Sequence, residues 1–102
     1  ECGFILPSII RRGALTISVS TDGISPALSK KIRKDLEKHF GAEYAALLRM
    51  MKRIRPQIRE KIKSMRARKE FFNKIFQPRT LKLLKQKRFK QCQELIFSKY
   101  TA

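Results

Sequence analysis

Hydroxyl side chains, a glycine and a proline crowd into one short stretch of this 102-residue chain. Ser20 and Thr21 come first, Gly23 follows, and Ser25 and Pro26 end the stretch. Glycine permits the backbone angles of a tight turn, and serine followed by proline is typical of the start of a helix. A helix N-terminus carries partial positive charge and unpaired N–H groups. The pattern therefore predicts a loop that could hold an anion; the simpler interpretation is a helix cap among solvated hydroxyls.

Two strands and a helix must position this loop. Residues 14–20 alternate between apolar and polar types, as in a half-buried strand, and residues 4–11 read as a first strand interrupted at Pro7. Apolar residues at helical spacing predict a first helix over residues 26–39, ended by Gly41. Two strands alone are marginally stable. We therefore expect the hairpin, with its turn at Arg12-Gly13, to pair with strands of another domain or of a second copy.

Helical spacing continues almost to the end of the chain. It predicts a second helix over residues 42–66 with a kink or break caused by Pro56, a third run that stops at Gln77-Pro78, a short segment at 81–84, and a last helix over 88–100. The apolar positions expected to face the core are Tyr44, Leu47, Met51, Ile54, Ile58, Ile62, Met65, Phe71, Phe72, Ile75, Phe76, Phe89, Cys92, Ile96 and Tyr100. The predicted fold class is α+β, a short β-hairpin followed by a small helical bundle.

Positive charge is concentrated in the second half of the sequence. The formal net charge is +17, yet residues 1–48 hold seven Lys and Arg against five Asp and Glu, whereas residues 49–90 hold seventeen against two. A field of this size attracts anions. Nucleic acid, an acidic membrane surface and a polycarboxylate small molecule are the partners that composition leaves open.

Motifs for catalysis are absent from the sequence. It has no G-x-G-x-x-G, no phosphate loop and no metal-ligand spacing, and its two cysteines, Cys2 and Cys92, lie at opposite ends. Unpaired cysteines of this kind suit a reducing cytoplasm. The only histidine, His39, reads as a helix-end residue. No membrane-spanning run is present. Taken together, composition and spacing alone predict a basic α+β binding module.

The order of the residues adds a family resemblance. Residues 4–13 (FILPSIIRRG), 15–28 (LTISVSTDGISPAL) and 32–37 (IRKDLE) resemble the siroheme synthase family, whose pattern reads F-I-x-P-S-I-I-x-R, then V-S-S/T-x-G-x-S-P, then R-x-x-L-E. Residues 68–76 (RKEFFNKIF) are similar to a helix of that family with the pattern R-x-F-W/F-x-x-x-F. The resemblance covers roughly residues 4–78 and is weak from Arg79 onward.

The resemblance implies part of a larger cytoplasmic enzyme. In that family a Rossmann domain binds NAD, a dimerisation domain exchanges strands between two subunits, and a helical domain follows. Residues 1–40 would be the C-terminal part of the dimerisation domain and residues 41–102 the basic helical domain, with the Rossmann domain absent from this chain. The family oxidises precorrin-2 to sirohydrochlorin with NAD, and many members then insert Fe²⁺. A homodimer and an anionic tetrapyrrole are the partners implied.

The resemblance also implies which residues contact the tetrapyrrole. Ser20 and Thr21 match the family's paired hydroxyls, and Gly23 and Ser25 match the loop and the helix start. We expect N–H groups from Gly23 to Ala27 to bind substrate carboxylates together with these hydroxyls. Arg11 and Arg12 are further candidate charge partners, and Asp22 places a carboxylate where relatives often have glycine.

No catalytic, NAD-binding or metal-binding residue is expected in this chain. The family's proposed acid/base aspartate would lie just before the segment that matches Cys2-Gly3-Phe4, and its nucleotide motif earlier still. The isolated 102 residues are therefore predicted to be inactive. Two alternatives stay open: a basic nucleic-acid-binding module, and a pure dimerisation scaffold whose charge serves solubility. Under the favoured interpretation we expect neither a membrane nor a nucleic-acid partner.

Overall fold

The computed structural model describes residues 6–100, which divide after Ala45 into two compact units. We call the residues up to Ala45 the hairpin unit and those from Ala46 onward the helical unit. The elements in chain order are β1 (Ser8–Arg12), β2 (Leu15–Val19), α1 (Pro26–His39), α2 (Glu43–Lys61), α3 (Met65–Ile75), α4 (Pro78–Lys85) and α5 (Phe89–Tyr100). The predicted α+β class, a β-hairpin followed by helices, is confirmed.

A two-residue turn closes the hairpin. β1 and β2 pair antiparallel with Arg12 opposite Leu15, so Gly13 and Ala14 form the loop, one residue later than predicted. Gly13 has a φ of 64°, as the first central residue of a type II′ turn requires. A Cβ on Gly13 would lie 2.9 Å from the Cβ of Ala45, so both backbone angle and space require glycine.

The sheet has two strands within residues 6–100, and α1 packs against both of them. Ile10 of β1 is buried, whereas Ile9, which points to the other face, is 48% exposed. Residues 4 and 5 of the predicted first strand lie outside the described residues. The prediction that these strands pair with a further strand elsewhere therefore stays a prediction.

Helix α1 has the predicted start and a different end. Its range of Pro26–His39 matches the prediction, and Ser25 caps it by accepting a hydrogen bond from the Leu28 N–H at 3.1 Å. The predicted glycine stop is wrong, because Phe40, with extended φ and ψ of −109° and 91°, ends the helix. Gly41 does not adopt a positive φ. The Arg12 side chain binds the last carbonyls instead, as described below.

Helix α2 is shorter than predicted. It continues through Pro56 and ends at Lys61 instead of near residue 66. Ser64 then caps α3, since its Oγ accepts from the Ala67 N–H at 3.3 Å. Arg68 Nη1 donates to the Ile62 carbonyl oxygen at 3.2 Å, so a carbonyl beyond the end of α2 is also satisfied. A serine cap that the apolar spacing did not reveal therefore separates the two helices.

An apolar core holds the helical unit together, and α3 and α4 each pack on α5. The predicted inward positions are confirmed for Leu47, Ile54, Ile58, Phe71, Ile75, Cys92 and Ile96, which are all buried. Met65, Phe76 and Phe89 were predicted to be in the core and are 78%, 54% and 44% exposed. Each stands at a helix end, where the neighbouring turns that would cover it are absent. Met50 is buried although the predicted stripe omitted it. The Tyr100 side chain is not among those described, so its predicted position in the core stays a prediction.

Candidate functional site

A tight turn shapes the loop between β2 and α1. The Ile24 N–H donates to the Thr21 carbonyl at 3.0 Å, and both central residues have positive φ, 55° at Asp22 and 77° at Gly23. These are the features of a type I′ turn, for which Asp-Gly is a favoured pair. The predicted break of the strand at Asp22-Gly23 is thus a type I′ turn. It presents the Asp22 and Gly23 peptide groups at the exposed tip of the loop.

The Thr21 hydroxyl closes this loop onto the start of α1. Its Oγ1 accepts a hydrogen bond from the Ser25 N–H at 2.9 Å and donates to the Ser25 carbonyl at 3.1 Å. A hydroxyl has one proton to donate, and Thr21 uses that proton within the loop. The predicted contact between Thr21 and a substrate carboxylate would therefore require these hydrogen bonds to break, and Thr21 clamps the loop to the start of α1.

Ser20 and Ser25 keep a proton that a ligand could accept. Ser20 Oγ accepts from the Asp22 N–H at 3.2 Å, and Ser25 Oγ accepts from the Leu28 N–H at 3.1 Å. Each hydroxyl thus acts as an acceptor towards the backbone, and its own O–H has no acceptor within the part of the chain that the structure describes. Both side chains can donate to an anion without losing these bonds.

Backbone N–H groups of the loop divide into two sets. Those of Ile24 and Ser25 donate within the loop, and Pro26 has no N–H. Gly23 and Ala27 have N–H groups with no acceptor among residues 6–100. Of the predicted N–H donors from Gly23 to Ala27, the structure therefore leaves these two for a ligand, at the positive end of α1.

Arg12 lies at the opposite end of α1 from the loop. Its Nε donates to the Phe40 carbonyl at 2.8 Å and its Nη2 to the Glu37 carbonyl at 3.3 Å, while Nη1 donates to the Arg11 carbonyl at 2.9 Å. A helix of 14 residues is roughly 21 Å long at about 1.5 Å per residue. The guanidinium therefore caps the C-terminus of α1 and is not brought together with the hydroxyls at its N-terminus.

Arg11 is exposed but also distant from the loop. It pairs with Thr16, four residues before Ser20. At roughly 3.3 Å per strand residue, the two positions are about 13 Å apart along the strand. The six predicted site residues thus separate into a loop group of Ser20, Thr21, Gly23 and Ser25 and a turn-end pair of arginines.

Other residues beside the loop have suitable chemistry and were not predicted. Ile24 at the loop is 85% exposed and Leu28 on the first turn of α1 is 48% exposed, so apolar surface adjoins the hydroxyls. Lys30 and Lys31, both exposed, follow on the next turn. The basic pair five residues after Ser25 was visible in the sequence, whereas the exposure of the apolar side chains required the structure.

Two further findings concern the described residues as a whole. Within residues 6–100, no helix is both long enough and apolar enough to cross a membrane. No group of three or more His, Cys, Asp or Glu side chains in that range is placed to hold a metal ion.

Two protein-family models match successive parts of this chain. The family model described as "Sirohaem biosynthesis protein central" matches residues 12–39, and the one described as "Sirohaem synthase dimerisation region" matches residues 43–97. The chain belongs to the siroheme synthase family. The resemblance that residues 4–37 and 68–76 indicated is thereby confirmed. The dimerisation model falls on the helical residues, whereas the resemblance implies a dimerisation domain over residues 1–40.

Individual relatives in this family are longer than the chain. A precorrin-2 dehydrogenase of Methanosarcina barkeri is 36% identical over 77 residues, which are 76% of this chain and 34% of that protein. A siroheme synthase of Nitrosococcus oceani is 38% identical over 76 residues, 74% of this chain and 16% of that protein. The solved structure named SirC, precorrin-2 dehydrogenase, superimposes with a TM-score of 0.69 at 27% identity over 92% of this chain and 48% of that one. The chain thus spans about a third or less of these two curated relatives.

Proposed function

We propose that this chain supplies the central and dimerisation regions of an enzyme that oxidises precorrin-2 to sirohydrochlorin with NAD. The observation that carries the proposal is the match of two siroheme family models to residues 12–39 and 43–97. Insertion of Fe²⁺ into the product is a second activity that the family resemblance implies. In that step iron is a substrate.

The loop between β2 and α1 supports a role in holding the tetrapyrrole. The substrate class carries several carboxylates around an apolar ring system. The Ser20 and Ser25 hydroxyls and the N–H groups of Gly23 and Ala27 can donate to one such carboxylate at the positive end of α1. The exposed side chain of Ile24 can contact the ring system beside it. Asp22 is exposed at the same turn and would repel a carboxylate that approached the loop tip.

The residues of this chain do not fit NAD. A Rossmann-type dinucleotide site needs several glycines in one turn between a strand and a helix, and the turn between β2 and α1 contains Gly23 alone. Gly13 lies in the hairpin turn and Gly41 after α1. We therefore assign NAD to a part of the enzyme outside these 102 residues, and we expect no NAD-dependent sirohydrochlorin formation by this chain alone.

Titration of the chain with sirohydrochlorin, followed by absorbance, tests the site. Ser20→Ala removes one donor without disturbing the Thr21 clamp, so we expect weaker saturable binding by this variant. The double variant Thr16→Ala and Ser18→Ala is the matched control, because both residues carry exposed hydroxyls on β2, the strand that leads into the loop. Equal binding by all three proteins would contradict the placement of the site on the loop. NAD-dependent turnover by the isolated chain would contradict the assignment of NAD to another region.

We also propose that the chain forms a homodimer. The family model over residues 43–97 is described as a dimerisation region, and the helical unit exposes the apolar side chains of Met65 and Phe76. The hairpin, whose Ile9 side chain is 48% exposed on the sheet face opposite Ile10, is the other candidate and the one that strand exchange would use. Light scattering should give about twice the chain mass of 12.0 kDa.

Single substitutions distinguish the two candidate interfaces. If the helical unit carries the interface, Met65→Glu or Phe76→Glu should dissociate the dimer and Ile9→Glu should not. The reverse result would assign dimerisation to residues 1–40, as the family resemblance implies. A single species of 12.0 kDa for the unchanged chain at all concentrations would contradict the homodimer.

A further inference from the structure

A cavity of about 90 Å³ lies wholly within the helical unit. Three of the side chains that line it are buried and apolar: Ala46, Met50 and Leu84. Its volume is several times the roughly 10–15 Å³ that one water molecule needs. A cavity with this apolar lining favours a ligand that has an apolar part.

Two arginines from α2 also line the cavity. Arg49 and Arg53 are one helical turn apart and both are exposed. Residues at this spacing share a helix face, and like charges placed there repel each other. The cavity lining contains no acidic residue, and neither arginine forms an ion pair within residues 6–100. An anion between the two guanidinium groups would remove the repulsion.

The remaining lining residues come from α5. Gln93 offers an amide that can donate a hydrogen bond, and Phe89, 44% exposed, offers an aromatic face. Guanidinium groups match the two oxygens of a carboxylate. The cavity thus combines cationic donors with an apolar interior.

The geometry points to a binding site for a monocarboxylate with a short aliphatic or aromatic body. The carboxylate lies between Arg49 and Arg53, and its apolar body enters the cavity against Met50 and Leu84. Inorganic phosphate can bind the two arginines but has no apolar part to bury in the cavity. An uncharged aromatic compound can fill the cavity but cannot pair with the arginines. This site is independent of the loop beside α1 and of the proposed enzyme activity.

Benzoate is the probe, and ¹H–¹⁵N correlation spectra of the 102-residue chain are the measurement. We expect saturable shifts of the Ala46, Leu84 and Gln93 amides at physiological ionic strength. Phosphate and benzyl alcohol, tested in separate titrations, should each bind at least about tenfold more weakly, because each lacks one of the two features.

The double variant Arg49→Gln and Arg53→Gln should weaken benzoate binding by about tenfold or more, since a lost charge-assisted hydrogen bond corresponds to at least that factor. The matched control is Arg55→Gln with Arg59→Gln, a second exposed pair one turn apart on α2 that does not line the cavity. Circular dichroism confirms that both variants fold. Absent binding, equal weakening by both pairs, or phosphate binding as tight as benzoate binding would overturn the proposal.

Discussion

The hairpin unit and the helical unit differ in the contacts that predominate, although Ser64 and Arg68 also bind backbone groups in the helical unit. In the hairpin unit, side chains bind the backbone: Arg12 bridges carbonyls at one end of α1, and Thr21 and Ser25 satisfy groups at the other. In the helical unit, apolar side chains such as Ile54 and Ile58 are fully buried.

Charge follows the same division. Up to Ala45 the sequence has seven Lys and Arg against five Asp and Glu, and from Ala46 it has eighteen against three. Repulsion among these positive charges therefore opposes folding of the helical unit, and burial of its apolar core offsets that repulsion. The hairpin unit depends on a few directed hydrogen bonds, so its stability should be sensitive to single polar side chains.

The largest effect is expected in the core of the helical unit. Ile58→Ala should lower the free energy of unfolding by about 2–5 kcal/mol, because a buried side chain is lost and a cavity remains. Gln57→Ala is the control, since this side chain is exposed on the same helix and its loss should cost less than about 0.5 kcal/mol. Urea unfolding followed by circular dichroism measures both. Similar losses for the two variants would contradict the core described here.

Arg12→Ala tests the corresponding dependence of the hairpin unit on hydrogen bonds. The Glu37 and Phe40 carbonyls lose a charged donor, so local stability should fall by roughly 1–3 kcal/mol. Amide hydrogen exchange at the end of α1 measures this loss. Arg11→Ala, at an exposed neighbour, should change little.

Arg12→Lys sharpens the same test. A lysine retains the positive charge near the C-terminus of α1 but lacks the fork of donors that reaches several carbonyls. We expect it to restore less than half of the lost protection. Full restoration would show that charge alone, and not the hydrogen-bond geometry, ends the helix at Phe40.

The two serine caps allow a direct comparison between the units. Ser25→Ala and Ser64→Ala each remove one hydrogen bond to a backbone N–H, worth about 1 kcal/mol. The start of α1 is also held by the Thr21 clamp, so the loop should stay closed in Ser25→Ala. Exchange of the Leu28 and Ala67 amides reports each cap. Opening of the loop in Ser25→Ala would mean that Thr21 alone does not hold it.

The smallest effect concerns the pH dependence of the helical unit. Burial raises the pKa of the Cys92 thiol above its ordinary value of 9.0. The folded chain therefore retains the thiol proton at a pH where the unfolded chain has lost it, and stability falls as pH rises through 9 and above. Cys92→Ala should remove this part of the decline. Parallel stability profiles for the two proteins between about pH 8 and 10 would contradict the prediction.

Much of the fold could be predicted because its signals are local. The range of α1, the Ser25 cap and the turn at Asp22-Gly23 depend on residues within a few positions of each other. Helix ends in the basic half were predicted less well. The apolar spacing continues across Ser64 and so predicts one helix to residue 66, whereas Ser64 caps a new helix.

The candidate site could be predicted only in part, because sequence patterns report contacts between residues that are near each other in the chain. The sequence located the loop and its hydroxyls, but not which hydroxyl has a proton to offer. Arg12 was predicted to contact a ligand, and it contacts Phe40, a residue 28 positions later. Pattern analysis cannot detect a contact between residues so far apart in the chain.

The sequence by itself determined the division of charge, the α+β class, the bounds of α1 and the place of the loop, because each depends on composition or on short-range spacing. Only the tertiary structure decided that Arg12 caps the end of α1, that Thr21 clamps the loop, and that residues of α2, α4 and α5 line a cavity beside Arg49 and Arg53. These features depend on side chains that meet across elements, where packing and hydrogen-bond geometry select the partners.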